Sequence, residues 1–194
     1  MKKKGLILVL AVILLLASVG TGTLAWLTAK SDTVTNTFTT SDINIELTET
    51  EGGSKKEFTM IPGWTIAKDP KVKVKTDSEE CFLFVKLEKS SNFDTFMTYE
   101  MADGWTALSG VDGVYYREVL DSGMNIQYDV LKGNQVTVKG TVTKEMMNEL
   151  QADPTKYPTL KITAYASQLY KTNGVKFTAL EAWNVLNPTP TPGA

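Results

Sequence analysis

Hydrolysis, group transfer and metal chemistry each need a nucleophile, a base or a set of ligands, and this chain offers few of them. Its 194 residues contain no histidine, the side chain most often used as a general base or metal ligand near neutral pH. Cys81 is the one cysteine, so no disulfide can form within the chain. With no histidine to activate it, and with Leu83 and Val85 on its side of an alternating run, Cys81 reads as a buried structural thiol rather than a nucleophile. Zinc proteases hold their metal with ligands at fixed spacing, usually His-Glu-x-x-His on one helix, and the sequence has no such set. Glu79-Glu80, and Asp94 with Glu100, are the acid pairs that could cleave a glycoside or hold calcium. None lies in a loop with acids at alternate positions and a glycine at the sixth, as an EF-hand requires. They read more simply as solvated loop and helix charges. The expectation is a non-enzymatic protein with no catalytic residues, no metal and no cofactor.

Tryptophan offers the remaining small-molecule chemistry. Trp64, Trp105 and Trp183 could stack on sugar rings, but large aromatics more often fill cores or anchor loops. Trp183 falls on an apolar helical stripe and reads as core. Trp105, beside Asp103-Gly104, is the candidate ligand contact.

The N-terminus speaks of placement. Lys2, Lys3 and Lys4 make a positive start, and residues 6–19 are apolar apart from Ser18. That length suits the apolar core of a secretory signal better than a spanning helix, which needs about 20 apolar residues. Thr23 and Ala25 supply the small side chains expected at the −3 and −1 positions of a cut before Trp26. The alternative is an uncleaved anchor over residues 5–25, the chain's one expected route to a membrane. Removing three lysines from the 20 basic groups leaves 17 against 22 acidic ones, a net charge of −5. Such a surface gives no pull toward nucleic acid or anionic lipid. The expected organisation is a cleaved signal over 1–25, an N-terminal strand segment over 26–40, one domain over 41–187, and a Pro/Thr tail over 188–194.

Downstream, period-two alternation dominates. Val34, Asn36 and Phe38 alternate with threonines, and Ile43, Ile45 and Leu47 alternate with Asn44 and Glu46. Lys71-Val-Lys-Val-Lys places its lysines outward and reads as an exposed or edge strand. Cys81, Leu83, Val85 and Leu87 oppose Phe82 and Phe84, a pattern for a central strand covered on both faces. Residues 92–101 carry Phe93, Phe96, Met97 and Met101 at helical spacing. Strands follow over 114–120, 124–131 and 135–139, then a short helix capped by Thr143. Leu160, Ile162, Ala164 and Ala166 face away from Tyr165 in a late strand. Thr178 and Glu181 form a capping box that opens a helix with Leu180, Trp183 and Leu186 on one stripe. Many strands at short spacing, with brief helices in the connections, predict an all-β, antiparallel, jelly-roll-like β-sandwich.

Several motifs together resemble the TasA/camelysin family of Gram-positive bacteria. They are Gly22-Thr-Leu-Ala-Trp-Leu-Thr-Ala-Lys, Thr35-Asn-Thr-Phe-Thr and Ile43-Asn-Ile-Glu-Leu-Thr-Glu. Met60-Ile-Pro-Gly-Trp-Thr-Ile-Ala-Lys-Asp-Pro, Cys81-Phe-Leu-Phe-Val-Lys, Leu160-Lys-Ile-Thr-Ala-Tyr-Ala and Glu181-Ala-Trp extend the likeness over most of the chain. The resemblance implies a signal read by a SipW-type signal peptidase and a secreted jelly-roll subunit of biofilm matrix fibres.

The functional expectation is therefore a secreted structural subunit. Once cleaved, residues 26–39 would pair with an open sheet edge of a neighbouring copy, with Trp26, Leu27, Val34 and Phe38 as its assembly contacts. The partners would be other copies in a head-to-tail homopolymer, the signal peptidase, and an accessory matrix protein. By pattern alone the same segment could instead be the first strand of its own sheet; the resemblance favours donation. The alternatives are a monomeric secreted binding module for glycan or protein, using Trp105, and a camelysin-type metalloprotease.

Overall fold

The computed structural model describes residues 42–50 and 58–187. In chain order the elements are β1 (Ile45–Thr48), β2 (Thr65–Ala67), β3 (Lys71–Val74), β4 (Cys81–Lys89), α1 (Phe93–Phe96), β5 (Met97–Thr98) and β6 (Thr106–Ala107). They continue with β7 (Val114–Val119), β8 (Gln127–Asp129), β9 (Gln135–Val138), α2 (Lys144–Ala152), β10 (Leu160–Gln168) and α3 (Ala179–Leu186). The strands make three sheets, ordered β1-β3-β8, β2-β9-β5 and β10-β4-β7-β6, with every ladder antiparallel.

This is a mixed α/β fold, not the all-β jelly-roll-like sandwich that the strand spacing predicts. Among the described residues no sheet closes into a barrel or a sandwich. The chain itself shows why. β2 and β3 follow one another opposite β9 and β8, and backbone bonds continue across the gap at Lys68 N to Asn134 O (2.8 Å) and Val130 N to Pro70 O (3.0 Å). A single longer ladder is interrupted there by Pro70, which has no N–H to give. Opposite it, Gly133 and Asn134 turn the chain at φ 65° and 53°. Two small sheets result where a sandwich needs one broad one.

β4 is the central strand of the largest sheet, flanked along its length by β10 and β7. Its two faces enter two cores. Cys81, Leu83, Val85 and Leu87 join Val72, Val74, Val130, Leu131, Val136 and Val138 from the small sheets, with Phe93, Phe96 and Leu150 from α1 and α2. Phe82 and Phe84 face the other way, where Leu108, Val114, Leu169, Ala182 and Trp183 meet them. Alternation thus serves two separate apolar volumes, the first through Cys81, Leu83, Val85 and Leu87 and the second through Phe82 and Phe84.

The second volume is roofed by a helix. Trp183 sits 5.3 Å, centroid to centroid, from both Phe84 and Tyr165. The capping box that starts α3 is complete: Glu181 N donates to Thr178 Oγ1 (3.2 Å), and Thr178 N donates to Glu181 Oε2 (2.8 Å). The buried stripe runs through Ala179, Ala182, Trp183 and Leu186. Leu180, expected on that stripe, is exposed, because it lies beside the 3–4 spacing that joins the other four. Thr143 caps α2 as expected, its hydroxyl accepting from Met146 N at 3.3 Å.

Two other expectations are corrected. β3 is the middle strand of its sheet rather than an edge. Its lysines are tolerated there because each has an acid directly across: Lys73 pairs with Glu46 at 3.2 Å and Lys71 with Asp129 at 3.7 Å. The helix expected over 92–101 is one turn, Phe93–Phe96, after which Met97 enters a ladder with Val138.

Candidate functional site: the Arg117 hollow and the open edge of β10

Arginine occurs once in the chain, against 19 lysines, at position 117. In β7 it stands opposite Leu83 of β4 and so shares the face of the main core. Instead of entering that core its side chain passes beneath two rings. The guanidinium carbon lies 3.8 Å from the ring centre of Tyr128 and 5.2 Å from that of Trp105. Both rings are held from behind. Tyr128 donates its hydroxyl to Gly123 O at 2.9 Å, and Trp105 donates Nε1 to Asp129 O at 2.8 Å. Gly104, at φ +84°, lies so close that a β-carbon there would stand 2.5 Å from Arg117 Nη2. Burial pulls the Arg117 pKa below its ordinary value, yet an arginine remains a cation at physiological pH.

The guanidinium opens into a hollow of about 370 Å³, whose wall includes Asp103, Gln127, Asp129 and Lys132. Lys132 is engaged by Glu100 at 3.0 Å, and Asp129 by Lys71. Trp105 is therefore a half-buried wall of the Arg117 stack rather than an open stacking platform. Among the described residues the exposed tryptophan is Trp64, 64 % accessible in the turn before β2. Trp183 is core, as read from its stripe.

The acids weighed above are spread apart. Asp94 pairs with Lys89 at 2.6 Å, Glu100 with Lys132, and Glu80 accepts from Asp121 N at 3.4 Å. Among the described residues no group of three or more histidine, cysteine, aspartate or glutamate side chains gathers to hold a metal. Cys81 is fully buried, and burial pushes its thiol up to about 12.

A second feature lies on the backbone. β10 pairs with β4 along one side only. Backbone bonds at either end, Ser90 N to Thr159 O and Leu169 N to Glu80 O, fix which residues of β10 turn inward. With an unbroken register between them, the odd-numbered residues exchange hydrogen bonds with β4. Leu160, Ile162, Ala164, Ala166 and Gln168 then aim their N–H and C=O groups away from the sheet. Among the described residues no strand pairs with that side. β1 runs within 8 Å of β10, Cα to Cα, without a ladder between them.

The cleavage residues Thr23, Ala25 and Trp26, and the assembly residues Trp26, Leu27, Val34 and Phe38, lie outside the described residues. Of the geometry above, the alternation of β10 gave which side chains share a face, but not which backbone groups turn away from β4. The Arg117 stack was not legible: the one sign of it in the sequence is an arginine standing alone among lysines.

Comparison with protein-family models, with curated proteins and with solved structures returned no match.

Proposed function

We propose that this protein is a secreted structural subunit of an extracellular matrix fibre. After signal cleavage, residues 26–39 of one copy add as a strand to the open side of β10 in the next. The observation that carries this reading is the row of outward backbone groups at Leu160, Ile162, Ala164, Ala166 and Gln168, which has no partner among the described residues. An unpaired edge of this length is a template for another strand. The seven residues 33–39 alternate, contain no proline and are rich in β-branched side chains, which is the composition such an edge accepts. A donor that leaves its own domain for a neighbour makes a head-to-tail contact that propagates rather than closes. The resemblance of its motifs to those of the TasA/camelysin family supports the same reading, with a SipW-type peptidase freeing the donor and an accessory matrix protein as a further partner.

The test is negative-stain microscopy of two forms at equal concentration, one beginning at Trp26 and one at Ser41. Filaments from the first form alone are the expected result. Folded monomers from both would turn the assignment to a monomeric binding module. If the shorter form does not fold alone, adding residues 26–39 as a peptide distinguishes a donor acting in trans from a strand that must be covalently attached.

A further inference from the structure

A guanidinium carries five N–H donors, and a half-buried one usually spends them on carboxylates or carbonyls. Arg117 does neither. Among the described residues none accepts a hydrogen bond from it, and no carboxylate oxygen lies within 4.0 Å of it. Its carbon lies against the Tyr128 and Trp105 rings, and the hollow lies open beside it. The fold therefore holds a cation against two rings with its donors free of protein acceptors among the described residues and open to solvent.

We propose that the hollow between β7 and β8 binds a small monocarboxylate, whose two oxygens pair with Arg117. Carboxylate matches the guanidinium fork in shape as well as charge. The site is organised in advance. Tyr128 and Trp105 are each anchored by their own hydrogen bond, and the missing side chain of Gly104 makes room for Nη2. Preorganisation of this kind lowers the entropy cost of binding.

The wall sets the charge that is accepted. Lys132 is already paired with Glu100, and Asp129 with Lys71. Asp103 lines the hollow without an ion pair within 4.0 Å among the described residues. Arg117 is the wall cation without a carboxylate partner, while Lys132 is held by Glu100 and attracted by Asp103, and this balance favours a ligand with no more than a single negative charge. A second negative charge, as on succinate or phosphate, would face Asp103. An amine on the ligand, as on the α-carbon of glycine, would be attracted by it. This assignment is independent of strand donation and can be read on the monomer.

Because the chain has one arginine, its side-chain Nε–Hε group gives one cross-peak in a nitrogen-15 correlation spectrum. The experiment is titration of the labelled full chain with benzoate, glycine, succinate and inorganic phosphate at constant ionic strength. Benzoate and glycine are expected to move that peak saturably in the millimolar range, with succinate and phosphate weaker by about tenfold. No shift, or equal shifts for all four, would overturn the proposal. Two variants complete the test by calorimetry. Arg117→Lys should weaken glycine and benzoate binding by about tenfold or more, and Asp103→Asn should strengthen succinate binding by a similar factor. Unchanged affinity in a folded Arg117→Lys protein refutes the role of the guanidinium. Should that variant fail to fold, unchanged succinate affinity in Asp103→Asn, an exposed position, refutes the site as drawn.

Discussion

The Arg117 guanidinium lies 3.8 Å from the ring centre of Tyr128, and only glycine at position 104 leaves it room. Gly104 and Gly110 have nearly the same backbone, φ +84° and +81°, but a β-carbon at Gly110 would meet nothing within 4 Å. Alanine at either position costs the strain of a left-handed residue, about 1–3 kcal/mol. Gly104→Ala alone should also displace the guanidinium. Thermal melts of the two variants, read beside the Arg117 Nε–Hε resonance, check this: both melting points fall, and the resonance moves only in Gly104→Ala.

Trp183 and Leu180 separate the true stripe of α3 from the one the sequence suggests. Trp183→Ala empties the space between Phe84 and Tyr165 and should cost about 3–5 kcal/mol. Leu180→Ala, at an exposed position, should stay within about 0.5 kcal/mol of the parent. Urea denaturation of both proteins is the measurement.

Cys81 should be chemically silent in the folded protein. Its thiol is pushed up to about 12 by burial, so almost no thiolate exists at neutral pH and reagent has no path to it. A chromogenic disulfide reagent should register no thiol under native conditions and one per chain in denaturant. Cys81→Ser buries a hydroxyl among Val72, Leu83 and their neighbours and should cost about 1–3 kcal/mol.

Acid should loosen the start of α3. Lys171 first, then the Thr178 backbone and hydroxyl, hold Glu181 down from 4.5 to about 2. A carboxylate depressed in the folded state stabilises it fully above the unfolded value and loses that effect as pH falls through the folded one. The window here runs from about pH 4.5 down to about pH 2. Melting points of the parent and Glu181→Gln should differ at neutral pH and converge across that window.

The edge of β10 can be blocked without breaking its ladder. Ala164 is one of the residues whose N–H faces outward, so Ala164→Pro removes an assembly donor but no bond to β4. Filament formation should be lost while circular dichroism keeps its strand signal. Filaments of normal yield from this variant would move the donor's acceptor away from β10.

Local pattern sufficed wherever one element's own period decides its state. The two faces of β4, the alternation of β10, the Thr143 cap and the Thr178–Glu181 box could each be read residue by residue, since a strand alternates every second position and a cap reaches only three. Even the buried state of Cys81 followed from its neighbours in the run. Fold class did not, because it depends on which strands join. Pro70 and the turn at Gly133 and Asn134 are far apart in sequence, and only their meeting interrupts what would otherwise be one ladder. The central place of β3 required Glu46 and Asp129 to arrive across from its lysines. The Arg117 stack likewise draws Trp105, Arg117 and Tyr128 from three separate stretches. By itself the sequence determined the period, caps and burial of single elements, which short-range backbone geometry governs. The partition into three sheets and the placing of one cation against two rings were decided by tertiary structure, because each depends on contacts between residues that no local pattern links.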